Sequence, residues 1–439
     1  MNHKHKFIVI SFDGLGSDDW TILERLPHFG AFLEEAAYCK TVETVYPSLT
    51  YPAHCTIATG RYPVHHRVIH NTLLQPNRMA SPDWYWKRKY IKGKTIYEAA
   101  KEKGMKTAAF LWPVTAGARI DYHIPEIFAN RKWDHQILAS LRSGSVKLQA
   151  EVFARYGKLM HGIEQPHLDH FIHQAVLYTL KKYEPDFTLI HYVDLDSMRH
   201  HYGHSSPEAL KALKRHDQRL GELMHLLEGE PVTWVVLGDH SSLDEARAIR
   251  LNRVLERAGW LQRDKKGNIR SYQALMQGAD GSAYIYGGPE LAAQVRAELE
   301  GFSEEHDHCL EAIYSAEEAG RQGADDRCLL MLEAKKGYYF QDTLEGPDIY
   351  EIQPQECTST PHMQMATHGY SPKKEGYTTV FAMRGSGAAA GGKQGELPAL
   401  AKGEVAAYMH LADEGPTIAH LFGGELPEAD GMLRKEFFV

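Results

Sequence analysis

Cysteine is scarce: the chain has five, Cys39, Cys55, Cys309, Cys328 and Cys357, an odd number with no CxxC spacing. That argues against a disulfide framework and for reduced thiols in a cytosolic protein. Long hydrophobic runs are missing too. None approaches the roughly 20 apolar residues needed to span a bilayer. The opening MNHKHKFIVISFDG is too poor in apolar residues for a secretory signal. The expectation is a cytoplasmic protein without a membrane partner. Positive charge is not in excess: 49 Lys and Arg stand against 57 Asp and Glu, a net charge of -8. Without a concentrated basic face no nucleic acid polymer is expected, and a bound phosphate must be met locally, by metals or amides. Internal repeats are also absent.

What is present suits one large α/β domain with a smaller insertion, given 439 residues of which 43% are hydrophobic. Short β-branched runs alternate with amphipathic stretches, the pattern of βαβ units around a parallel sheet. Residues 6–12 and 106–113 read as strands, and 26–37, 94–104, 167–183 and 207–228 as helices. The character changes between about 256 and 360, where short strands and two helices suggest an inserted α+β subdomain that walls the site. The expected division is a catalytic core, 1–255 with 361–439, and an insertion, 256–360. The small-residue stretch GSGAAAGGKQGE (385–396) reads as a surface loop.

Acidic and histidine residues punctuate the predicted strand ends. Asp13 follows KFIVISF, Asp196 and His200 follow FTLIHYVDL, Asp239 and His240 follow VTWVVLG, and His368 precedes GYSPKKEGYTTVFAMR. These are hard or borderline metal ligands, enough for two cations, and in open α/β sheets such positions converge beyond the carboxyl ends of the strands. Asp196 and His200 are four apart, so one helical turn aims both at a single ion.

The segment VYPSLTYPAHCTIATGRYPVHHRVIHN (45–71) carries the candidate nucleophile. Thr50 precedes Tyr51-Pro52 and a predicted helix, where an N-cap residue belongs, so its hydroxyl is expected beside unpaired amides that favour a phosphoryl group.

Taken together, Asp13 in SFDGLG, Thr50 in PSLTYPAH, Asn71 in HRVIHN, Asp196 and His200 in DSMRHHYGH, Asp239-His240 in GDH and His368 in THGY resemble the alkaline phosphatase superfamily, in its nucleotide pyrophosphatase/phosphodiesterase branch. The likeness extends from residue 7 to DEGPTIAHLFGGELPEADG (413–431). It implies a doubly wound, mostly parallel sheet flanked by helices, and two divalent metal ions, zinc or alternatively manganese. One ion would be held by Asp196, His200 and His368, the other by Asp13, Thr50, Asp239 and His240. Thr50 would be the nucleophile of a phosphothreonine intermediate, with Asn71 and an amide at Thr50 or Tyr51 donating to the nonbridging oxygens. The implied activity is a phosphodiesterase or nucleotide pyrophosphatase acting on a small-molecule phosphate ester. A phosphomonoesterase, a phosphonate hydrolase and a non-catalytic metal-stabilised binding protein are the alternatives.

Departures from the pattern concern neighbours of the ligands. Arg199 stands where glycine is usual and is expected to meet a substrate phosphate or else to pair with an acid. Tyr51 and Trp112 are expected to clamp a flat leaving group, though both also read as core aromatics. WYWKRKY (84–90) reads as a solvated face.

Overall fold

The computed structural model describes residues 4–131, 135–360, 362–386 and 398–439. The loop expected over 385–396 lies, beyond Ser386, outside these residues. A nine-stranded sheet forms the centre, built from β1 (Lys6–Phe12), β2 (Ala37–Glu43), β3 (Thr107–Phe110), β4 (Tyr122–Ile124), β5 (Phe187–Tyr192), β6 (Val232–Leu237), β7 (Thr379–Ser386), β8 (Gly403–Glu404) and β9 (Met409–His410). Its order is β8-β2-β7-β6-β1-β5-β3-β4, with β9 beside β2. From β6 to β4 every pairing is parallel, and β7 runs antiparallel to β6 and β2.

All seven residues of β1 are buried, as a strand covered on both faces requires. Alternation divides them. Ile8, Ile10 and Phe12 pack with helices α1 (Pro27–Leu33), α4 (His167–Tyr183) and α6 (Pro207–Leu226). Phe7 and Val9 pack with α2 (Thr50–Thr59), α3 (Ile96–Glu102) and α7 (Glu414–Leu421). The remaining helix used below, α5 (Asp194–Tyr202), follows β5 directly. Local signals set several helix starts: Thr95 and Glu98 form a reciprocal capping box on α3, and Ser206 caps α6 ahead of Pro207.

Beyond β6 the strand Arg247–Ile249 pairs with Tyr338–Phe340 and Ile349–Glu351. A four-stranded antiparallel sheet, Ala274–Ala279, Ser282–Gly287, Leu330–Ala334 and Leu310–Ser315 in spatial order, carries the helices Ala292–Glu305 and Ala316–Arg321. Val295, Leu299 and Phe302 give it a core separate from those of the main sheet. Among the described residues no helix is long and apolar enough to cross a membrane.

Candidate metal centre

Because β1, β5 and β6 are parallel neighbours, the residues that follow them emerge at one edge of the sheet. Asp13 is the first residue after β1, Asp196 and His200 lie on α5 after β5, and Asp239 and His240 follow β6 by two and three positions. His368 is brought in beside the four-stranded sheet, its carbonyl accepting from Gly281 at 2.8 Å while Gly369 donates to Ser48 at 3.1 Å. The turn after Asp13 needs glycine. Gly14 has φ +73, and a Cβ there would stand 3.3 Å from the Cβ of Asp196.

The six ligand-type residues are all close-set. Around His240 Nε2 lie Asp239 Oδ2 at 3.2 Å, Asp13 Oδ1 at 3.3 Å and Thr50 Oγ1 at 3.3 Å. Asp196 Oδ2 is 3.1 Å from His200 Nε2, and Asp196 Oδ1 is 3.9 Å from His368 Nε2. Two groups of metal-ligating atoms result, Asp13 with Asp239 and His240, and Asp196 with His240 and His368. His240 belongs to both groups, its ring 4.1 Å from that of His368, whereas the sequence reading gave it to one ion alone.

Whether this donor set fits two cations is tested by its unpaired atoms. Asp13 Oδ1, Asp196 Oδ1, Asp239 Oδ2 and His368 Nδ1 are buried with no hydrogen-bond partner. Nδ1 of His240 faces the Ser241 carbonyl at 3.1 Å, and Nδ1 of His200 that of Ala366 at 2.8 Å. A carbonyl accepts only, so each Nδ1 carries a proton, and Nε2, which faces the carboxylates, is the atom each ring would turn to a cation. A bound cation would take the place of protons among these carboxylates and imidazoles. The residues fit.

Charge shows the same imbalance. Burial, and then Asp239, push the Asp13 carboxyl well above its usual range; burial raises Asp239 as well. Burial opposes ionisation of Asp196 also, yet the His200 and His368 imidazoles hold it low. His200 is raised to about 9, Asp196 outweighing the downward pull of burial. Burial and the neighbouring His240 depress His368 strongly.

Thr50 is the first residue of α2 and not its cap. Leu49 is the N-cap, with extended backbone. The reason is local: Pro52 has no N–H for a cap hydroxyl to accept, the Ala53 amide bonds the Leu49 carbonyl at 2.9 Å, and the Tyr51 amide bonds Asn71 Oδ1 at 2.9 Å. The Thr50 hydroxyl therefore turns to His240. All ten residues of α2 are buried, and Gly60 ends it in the left-handed conformation at φ 68.

Two expected substrate contacts are corrected. Arg199 is 2% exposed and fully engaged inside the protein: its guanidinium donates to the Gly14 carbonyl, to Asp19 Oδ1 at 2.6 Å and to the His204 carbonyl at 3.1 Å. Trp112 is buried behind His54, ring centroids 4.9 Å apart, and does not border the cavity. Tyr51 lines the cavity and meets Trp84 edge-on at 5.3 Å; Trp84 in turn meets Phe128 at 5.3 Å, so WYWKRKY is not wholly a solvated face.

Sequence reasoning missed a supporting shell. His191 Nε2 is 3.2 Å from Asp13 Oδ2, and His54 bridges the Thr50 carbonyl at 2.8 Å and Ser11 Oγ at 2.9 Å. Ser11 and His191 are register partners on adjacent strands, buried polar residues in largely apolar runs, and His54 is one helical turn from Thr50. That spacing was readable. Asp280, 3.9 Å from His368 Nδ1, and Glu126 in the cavity wall carry no comparable signal.

Comparison with known proteins follows this geometry. The chain is 28% identical over 230 residues to human ectonucleotide pyrophosphatase/phosphodiesterase family member 1, covering 49% of this chain and 21% of that protein. It is 26% identical over 261 residues to venom phosphodiesterase 2 of Crotalus adamanteus, covering 56% and 27%. The matches thus span about a quarter of those relatives' lengths. In structure the chain is similar to murine ectonucleotide pyrophosphatase/phosphodiesterase 5, with a TM-score of 0.63 at 18% identity over 97% of each chain. An inactive form of that murine protein is in complex with AMP. The family model for type I phosphodiesterase / nucleotide pyrophosphatase matches residues 7–371, and the chain belongs to that family.

Proposed function

We propose that this chain is a two-metal phosphohydrolase that cleaves small phosphodiesters or pyrophosphates through a phosphothreonine intermediate. One observation carries the reading: a buried threonine hydroxyl opens a helix 3.3 Å from Nε2 of His240, among three buried carboxylates. In this reading Asp196, His200 and His368 hold one cation, and Asp13, Thr50, Asp239 and His240 the other. Zinc suits the mixed imidazole and carboxylate set, with manganese as the alternative. When bound, two such cations supply Lewis acidity and neutralise charge at the phosphoryl group.

The chain's own residues then divide the work. Thr50 Oγ forms the bond to phosphorus as the ester oxygen opposite leaves; water then cleaves the Thr50 ester, releasing the phosphorylated product and restoring the hydroxyl. Asn71 Oδ1 is anchored by the Tyr51 amide, which leaves both Nδ2 hydrogens to donate to nonbridging oxygens. The Thr50 amide, without an intrahelical acceptor, is the second donor. Tyr51 contributes a ring to the wall and not an amide. The insertion, 256–360, forms the opposite wall. The five buried, unpaired cysteines support a cytoplasmic setting.

The test compares bis-p-nitrophenyl phosphate with p-nitrophenyl phosphate after zinc or manganese loading. Preference for the diester is expected. Preference for the monoester would replace this reading with a phosphomonoesterase, and binding of metal without turnover of either would leave a binding protein.

A further inference from the structure

A second cavity, about 510 Å³, lies among the helices that cover one face of the central sheet and shares no lining residue with the cavity at Thr50. Its size falls within the roughly 300–1,000 Å³ of small-molecule sites. The end of the helix Val146–Tyr156 and the turn after it supply Arg155, Tyr156, Lys158 and Leu159, and α6 supplies Arg215, Arg219 and Glu222. Four cations thus border the space with one carboxylate, in a chain whose net charge is -8.

Pairing inside the protein uses only part of that charge. Arg215 is saturated by Asp194, Nε donating to Oδ2 at 2.6 Å and Nη2 to Oδ1 at 2.7 Å. Glu222 pairs with His173 Nε2 at 3.1 Å. Arg155 donates to the Glu151 carbonyl at 2.9 Å and lies over the Tyr178 ring at 4.8 Å; neither it nor Lys158 pairs with a carboxylate among the described residues.

Arg219 supplies the second observation. It is 3% exposed, and only Nη1 is engaged, 3.2 Å from Asp194 Oδ2, 3.5 Å from Asp169 Oδ2 and 3.1 Å from His216 Nδ1. Nε and Nη2 are buried without a hydrogen-bond partner. These two nitrogens form the edge of a guanidinium that donates two parallel N–H bonds, the edge Arg215 presents to Asp194 and the one that matches carboxylate or phosphate oxygens two at a time. A guanidinium out of water with that edge unmade has lost hydration and gained no bond in return.

The charge around the edge selects the occupant. A carboxylate would bring two oxygens and one negative charge, enough for Arg219 alone. A phosphate dianion has further oxygens for Arg155 and Lys158, and Tyr156 and Leu159 offer a wall to a small organic group. Occupation would leave the catalytic framework in place. Asp194 opens α5 two residues ahead of Asp196, and it is held by Arg215 and by Nη1 of Arg219, not by the unmade edge.

We propose that this cavity is a second binding site, separate from the metal centre, for a phosphate dianion, free or carried on a small organic group. The Nε–Nη2 edge of Arg219 holds two of its oxygens, with Arg155 and Lys158 over the others.

Calorimetric titration of the zinc-loaded full chain tests it, with inorganic phosphate and with phenylphosphonate, which has no ester to cleave. The double variant Arg155→Glu with Lys158→Glu, at exposed positions, is expected to bind one anion fewer per chain, because its new carboxylates take the Arg219 edge, while Tm and kcat/KM on bis-p-nitrophenyl phosphate stay unchanged. Arg219→Lys keeps the charge but loses the paired donors, and should weaken this site about tenfold or more. Tighter binding of phenylphosphonate than of phosphate assigns a monoester and the reverse assigns free phosphate; either upholds the site. Equal stoichiometry and affinity in the unaltered chain and the double variant overturns the proposal. Release of every bound anion when a chelator removes the zinc overturns it likewise, since all binding would then belong to the metal centre.

Discussion

Residue chemistry decides which positions could be read from the sequence. The ligand-type residues were legible because a metal site needs carboxylates and imidazoles, and these stand at strand ends where apolar residues would otherwise stop. Orientation was not legible. Arg199 reads the same in sequence whether it faces substrate or the Gly14 carbonyl, and only tertiary packing separates the two. The nucleophile assignment makes the sharpest prediction at this scale. Thr50→Ala should lower turnover by about 10³-fold or more, as loss of a covalent nucleophile does. Metal binding should largely persist, because Asp13, Asp239 and His240 remain; stability should change by no more than about 1 kcal/mol. Single-substrate kinetics and zinc titration of the same preparation check both halves, and a variant retaining full activity would remove Thr50 from the mechanism.

Elements explain why these residues meet. The ends of β1, β5 and β6 were predictable as strand ends, and α4 was predicted over 167–183, where it is found, because its apolar spacing is regular over 17 residues. The short start of α2 was misread: the sequence shows a threonine before a helix, but the cap is decided by the missing N–H of Pro52 and the bond from the Tyr51 amide to Asn71. Arg199 belongs to this scale as well. It lies on α5 between Asp196 and His200 and holds the carbonyl of Gly14, whose amide bonds Asp239 Oδ1 at 3.0 Å. One guanidinium therefore ties the turn after β1 to the helix after β5. Replacing it by methionine leaves Asp19, 3% exposed, without its cation, which should cost about 3–5 kcal/mol. The double variant Arg199→Met with Asp19→Leu should recover a large part of that loss, since no buried charge is then left alone. Urea unfolding of the single and double variants measures the difference; equal stability of the two would mean the pair is not what holds the turn.

At the scale of the whole molecule the candidate centre ties together four segments spread between residues 13 and 368, so metal content and global stability should be linked. The central sheet alone does not hold His368, which comes from between the strand Ile349–Glu351 and β7. The pH dependence of that link has a definite sign. Away from the ligand-type residues, burial raises Glu126 to about 8 and Asp342 to about 7. A carboxyl whose folded pKa is raised binds its proton more tightly folded than unfolded. Its contribution is fully present below the unfolded value, near 4, and is lost as pH rises through 7 and 8. The metal-free protein should therefore melt at a lower temperature at pH 8 than at pH 6. Saturating zinc acts in the opposite direction, because its ligands must be deprotonated and proton competition weakens as pH rises. At a free zinc concentration about 100 times the dissociation constant the gain is about 2.7 kcal/mol. The gap in Tm between zinc-loaded and chelator-treated protein should thus be wider at pH 8 than at pH 6. Glu126→Gln should reduce the pH dependence of the metal-free protein, since the glutamine cannot ionise. Calorimetric melts at the two pH values decide it: a gap that stays constant or narrows would show that the buried carboxyls and the metal centre do not govern stability in this range.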